Sequence, residues 1–111
     1  DVWKRAMILV EGIYRSTVDF PAEERFGLVS QIRRAAISVP ANISEGYARV
    51  HQAEYVHHLS IAQGSVAEIE TLLLISVRLK LLPRDESVIL WRLLQEVGKM
   101  LRQMIRSLRK S

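Results

Sequence analysis

A chain of 111 residues, 49% hydrophobic and 25% charged, has the length of one domain, residues 1–111, and a composition too apolar for intrinsic disorder. It has no cysteine, three prolines and five glycines, which excludes a disulfide framework, a thiolate metal site and a cysteine nucleophile, and argues against a β-fold with frequent turns. The net charge of +4 is unevenly placed: acids and bases balance as far as Pro83, and the excess comes from Arg84, Arg92, Lys99, Arg102, Arg106, Arg109 and Lys110 against Asp85, Glu86 and Glu96.

The first periodic segment covers about residues 2–18, with Val2, Ala6, Leu9 and Ile13 at helical spacing and Met7, Val10 and Tyr14 beside them. Its opening, Asp1-Val2-Trp3-Lys4-Arg5, lacks the basic stub and apolar core of a signal peptide. The missing initiator Met points to a processed or trimmed N-terminus. Phe20-Pro21 ends this helix, because the residue before a proline is pushed out of the α region. Pro21 then suits the first turn of a second helix, with Glu23 and Glu24 favoured by the helix dipole.

That second helix is expected over about 22–48. Phe26, Val29, Ile32, Ala36, Val39, Ile43 and Tyr47 form its apolar stripe. Pro40 removes the bond to the Ala36 carbonyl and predicts a kink, while the unbroken phase of the stripe predicts one helix and not two. A polar stripe, Gln31, Arg34, Ser38, Asn42, Glu45 and Arg49, follows at steps of three and four on another side. It reads either as a solvated face or as a hydrogen-bonded groove for a ligand or a second subunit, since Ser and Asn are poor choices for a merely solvated helix interior.

A third helix is expected over about 52–81, with Tyr55, Leu59, Ala62, Val66, Ile69 and Leu73 as its core stripe. Ile61, Leu72, Ile75 and Leu79 form a second apolar stripe about 100° around the helix, read as either a wide core face or an oligomer interface. The apolar run from Ile69 to Leu82 contains Glu70, Arg78 and Lys80 and is too short and too charged for a bilayer span. Glu54 and His57 have the Glu-x-x-His spacing of di-metal bundles. The motif occurs once, and both residues lie ~100–160° from the Tyr55 stripe, pointing outward; neither a metal nor another cofactor is expected. His51, His57 and His58 read as surface residues, and Gln63-Gly64-Ser65 as a small-residue patch for close helix packing. No Gly-x-Ser-x-Gly elbow, phosphate-binding glycine loop or His-Glu-x-x-His occurs, so no enzyme is indicated.

Leu82-Pro83 breaks the chain before a fourth helix, about 84–110, with Leu90, Leu94, Val97, Leu101, Ile105 and Leu108 as its stripe. Long helices on short links predict an all-α fold, an antiparallel up-down-up-down four-helix bundle. Beside the last stripe, Lys99, Arg102, Arg106 and Arg109, with Arg92 and Lys110 nearby, span an arc of about 100°. Arginine predominates, which suits phosphate, although cations near a helix C-terminus are also favoured by the dipole and basic amphipathic helices also bind membranes. No aromatic residue lies within this stripe, so base stacking is not expected to dominate.

Several stretches carry a family likeness: Val2-Trp3-Lys4-Arg5-Ala6, Ile13-Tyr14, Phe20-Pro21, Glu24-Arg25-Phe26-Gly27-Leu28 and, most specifically, Gln31-Ile32-Arg33-Arg34-Ala35-Ala36-Ile37-Ser38-Val39-Pro40-Ala41-Asn42-Ile43-Ser44-Glu45-Gly46. Leu59-Ser60-Ile61-Ala62-Gln63-Gly64-Ser65 and Glu68-Ile69-Glu70 continue it. The chain thereby resembles the four-helix-bundle proteins encoded in intervening sequences of bacterial 23S ribosomal RNA genes. Glu96-Val97-Gly98-Lys99-Met100-Leu101 also looks like the accessory variability determinant of diversity-generating retroelements. The resemblance implies a bacterial, cytoplasmic homopentamer without established catalysis. The retroelement relative works beside a reverse transcriptase and nucleic acid through basic surfaces. The resulting expectation is a non-catalytic homo-oligomer that binds RNA or DNA through Arg92, Lys99, Arg102, Arg106, Arg109 and Lys110, with Arg33 and Arg34 as further candidates. A protein-interaction module without nucleic acid is the alternative, and no membrane partner is expected.

Overall fold

The computed structural model describes residues 1–110. Four helices account for most of them: α1 (Val2–Thr17), α2 (Leu28–Tyr47), α3 (Gln52–Arg78) and α4 (Arg84–Arg109). Helices adjacent in sequence pack side by side and α4 closes against α1, leaving α1 opposite α3 and α2 opposite α4. This is the antiparallel up-down-up-down bundle expected from the short links. It measures 46 × 24 × 19 Å, the long axis matching the ~40 Å of a 27-residue helix.

The core follows the apolar stripes. Leu9 and Ile13 of α1, Ile32 and Val39 of α2, Leu59, Ile69 and Leu73 of α3, and Leu94, Val97 and Leu101 of α4 are fully buried. Gly46 lets α2 approach α3 closely: a Cβ there would stand 2.8 Å from the His58 Cβ and 3.0 Å from Tyr55 Cδ1. At Gly98 the packing is looser, with Val66 Cγ1 3.7 Å from a virtual Cβ, an ordinary van der Waals contact. Pro40 is buried and α2 runs through it without a break.

The ends of the helices differ from the periodic reading. Residues 22–24 form a 3₁₀ turn, and α2 starts only at Leu28, whose N–H is bound by the Glu24 carboxylate at 3.3 Å. Phe20 fills the core at this end, so the chain has still to turn after it. Phe26 is left outside at 88% exposure, with the Arg25 guanidinium 5.6 Å from its ring centre. At the other end of α2, Tyr47 is 78% exposed and meets Tyr55 edge-on at 6.1 Å. Periodicity places Phe26 and Tyr47 in the core stripe, but each sits at or beyond an end of the helix, where the bundle no longer covers it. The third helix stops at Arg78 instead of 81, because Lys80 adopts φ 62° and the amides of Lys80 and Leu81 bond back to Val77 and Ser76. This is a Schellman stop with lysine where glycine is usual. Asp1 caps α1 by accepting from the Lys4 amide at 2.8 Å.

On α3, Leu72 is buried in the core, and Ile61, Ile75 and Leu79 are exposed. The second apolar stripe is thus divided, with only its Leu72 turned inward. Gly64 is exposed with nothing within 4 Å of its virtual Cβ, so it permits no packing within the chain, whereas Ser65 is buried. By length and composition α3 is apolar enough to cross a membrane; one side of it, from Leu59 to Leu73, is packed in the bundle core.

Candidate nucleic-acid interface

The core stripe of α4 leaves its basic residues on the side facing α3. Arg102, Arg106, Arg109 and Lys110 line a shallow groove of about 390 Å³ with Gln63 of α3 and Ile105 beneath. Gly98 lies in this seam, and a virtual Cβ there would stand 3.4 Å from the Arg102 guanidinium. Lys99 is exposed one turn earlier. Glu96, the acid nearest this stretch in sequence, pairs with Arg5 of α1 at 2.9 Å. Among the described residues, no ion pair or hydrogen bond engages the side chains of Lys99, Arg102, Arg106, Arg109 or Lys110. Among the described residues their charge is therefore not neutralised.

Arg92 belongs elsewhere. Farther along the same seam, toward the α3–α4 turn, it lines a second groove of about 400 Å³ with Arg78, Arg84 and Trp91, over an apolar floor that includes Leu74, Val77 and Val88. Between the two grooves, the Glu70 carboxylate accepts from the Gln95 amide at 2.5 Å. Periodicity within α4 could not reveal the second groove, because Arg78 comes from α3 and Trp91 counts as an apolar flank residue. The signal available was Trp91-Arg92 one turn after Arg84-Asp85-Glu86-Ser87.

The polar stripe of α2 faces α3. Ser38 Oγ accepts from Asn42 Nδ2 at 3.0 Å and from Ser65 Oγ at 2.8 Å, and Asn42 Oδ1 meets His58 Nδ1 at 3.0 Å. Glu45 pairs with Arg49 at 2.8 Å and lies 3.9 Å from His58 Nε2, and Arg49 reaches Glu54 at 3.8 Å. Gln31 and Arg34 line the remaining shallow part with Glu68. Ser38 and Asn42 are thus explained by the neighbouring helix. His58, expected on the surface, is half-buried in this network; His51 and His57 are exposed. Burial pushes the Tyr55 phenol above its usual range, and Tyr47 beside it adds to the rise.

Arg33 is engaged within the chain. Its Nε donates to Thr17 Oγ1 at 3.0 Å, Nη2 donates to the Tyr14 carbonyl at 3.3 Å, and the guanidinium stacks 4.4 Å from the centre of the Tyr14 ring. It clamps α2 to α1, which removes it from the candidate phosphate ligands. Arg34 is exposed and holds only Ser30 Oγ, at 3.4 Å. Glu54 and His57 are exposed, and no group of three or more His, Asp or Glu side chains suited to a metal occurs among the described residues.

An all-α bundle with an unneutralised basic seam between its last two helices is the class these features define. The family model for the 23S rRNA-intervening sequence proteins matches residues 1–103, and the chain belongs to that family. It is similar over 95% of its length to 98% of a crystal structure from Bacteroides thetaiotaomicron, a protein of unknown function from the S23 ribosomal protein family, with 24% identity and a TM-score of 0.86. At that identity the likeness concerns the fold. No curated protein matches the chain significantly. Neither the family nor this structural neighbour is described by a catalytic activity.

Proposed function

We propose that the protein is a non-enzymatic, cytoplasmic homo-oligomer, a pentamer by family resemblance, that binds RNA or DNA as an accessory factor. The observation that carries this reading is the line of five cations from Lys99 to Lys110, free of acidic partners among the described residues, four of which, Arg102 to Lys110, line the α3–α4 groove. Phosphate is the ligand such a surface fits, because arginine forks onto it in two bonds. Contacts of this kind position nucleic acid without reading its sequence. A family described by 23S rRNA intervening sequences agrees with a nucleic-acid setting, and repetition of the seam around an oligomer would raise avidity.

The test is fluorescence anisotropy with labelled RNA and DNA across a salt series, beside an Arg102/Arg106/Arg109→Ala variant. Binding is expected to weaken steeply with salt. The variant should lower the slope of log K against log salt by about 0.7–0.9 for each phosphate that it no longer neutralises. Flat titrations at low salt would sink the reading.

A second reading, a module that docks a partner protein, is favoured by the apolar residues Ile61 and Ile75 that α3 leaves exposed, at 38% each. Capture of a defined protein that survives nuclease and high salt would favour it.

A further inference from the structure

We propose that the groove between the end of α3 and the start of α4 holds one unpaired nucleobase with its phosphates. Trp91 is the stacking platform, and Arg78, Arg84 and Arg92 are the phosphate ligands. This rests on the nucleic-acid reading above and adds to it a second contact point and a preference for single strands.

Three features of the groove suit a ligand that is both planar and anionic. Its floor is apolar, with Leu74 and Val88 beside a half-buried indole. Its volume, about 400 Å³, lies in the range of small-ligand sites. Its rim carries three arginines whose side chains have no ion pair or hydrogen bond among the described residues. A purely apolar occupant would not engage the exposed guanidiniums. An inorganic anion would leave the indole and its floor uncovered. An aromatic base with its phosphates satisfies both, since base–aromatic stacking tolerates any base and arginine binds the backbone.

The acids close by do not oppose this. Asp85 and Glu86, in the first turn of α4, are exposed and do not line the groove; Glu70, bonded to the neutral Gln95 amide, keeps its charge between the two grooves but lines neither. From Arg92 to Arg102 is about 15 Å along α4. One strand following the seam therefore reaches both the stacking pocket and the Arg102–Lys110 groove. A duplex keeps its bases stacked inside and can use only the second of these.

The chain has two tryptophans, and Trp3 is on α1, at the far end of the bundle from the groove. In a Trp3→Phe protein the indole emission reports Trp91 alone. This protein is titrated with labelled oligouridylate, with oligothymidylate and with a GC duplex, recording both label anisotropy and indole emission. Single strands are expected to quench Trp91 and the duplex to leave it unchanged. Trp91→Leu, which keeps apolar volume without a π-face, is expected to weaken single-strand binding by roughly 5- to 100-fold and duplex binding by less than about 2-fold. Circular dichroism checks that the variant is folded, and the emission readout needs no Trp91 substitution. Binding of all three probes without any change in Trp91 emission overturns the pocket and leaves the nucleic-acid reading intact. No binding of any probe at low salt overturns both. Loss of self-association in Trp91→Leu, with single-strand affinity retained, assigns the groove to a subunit contact and overturns the pocket.

Discussion

Gly46 and Gly64 occupy helices that pack against each other, yet opposite constraints act on them. At Gly46 an added Cβ meets His58 and Tyr55 at 3.0 Å or less, so Gly46→Ala is expected to destabilise by about 1–3 kcal/mol despite alanine's better helix propensity. At Gly64 the space is open, and Gly64→Ala is expected to stabilise by about 0.5–1 kcal/mol. Urea unfolding of both variants checks the pair. A loss of stability at Gly64 would show that another chain occupies the open space. Lys80 gives a third residue-scale expectation. Its φ of 62° costs an L-residue about 1 kcal/mol, partly offset because glycine loses more entropy on folding. Lys80→Gly should therefore raise the unfolding midpoint slightly without altering helix content.

Between elements, α2 and α3 are joined on one flank by hydrogen bonds from Ser38, Asn42, Ser65 and His58. Ser38→Ala would strand the hydroxyl of buried Ser65, at a cost of about 1–2 kcal/mol. Adding Ser65→Ala removes the stranded donor, so the double variant is expected to lose less than the sum of the singles. A double-mutant cycle in urea measures the coupling, and strict additivity would mean that the two serines do not depend on each other. The same polar stripe read in the sequence as either a solvated face or a hydrogen-bonded groove, and one helix viewed alone cannot show that α3 supplies the partners of Ser38 and Asn42. Nor can it show that Arg33 spends its donors on Thr17 and Tyr14.

For the whole molecule, a bundle of this size leaves apolar surface that its own core cannot take. Ile61 and Ile75, exposed on α3, are part of that surface. If self-association uses this surface, Ile75→Glu should shift the sedimentation coefficient toward the monomer. Its effect on folding should stay within about 0.5 kcal/mol, as for other exposed positions. An unchanged coefficient would place the subunit contact elsewhere.

Periodicity alone determined the helices and their core stripes. Val29, Ile32, Val39, Leu59, Ile69, Leu94 and Leu101 recur every three or four residues because one side of each helix must be dry. The basic excess after Pro83 was likewise countable from the chain. Helix ends were less legible: the Glu24 cap and the Schellman stop at Lys80 depend on local geometry that apolar spacing does not report. Only the tertiary structure decided which cations are free. It paired Glu96 with Arg5 across α1, committed Arg33 to α1, and brought Arg78 from α3 to Trp91 and Arg92. The reason is physical: burial along a helix repeats with its pitch and can be counted in sequence. A groove instead joins residues from two helices, and their distance is set only when the helices pack.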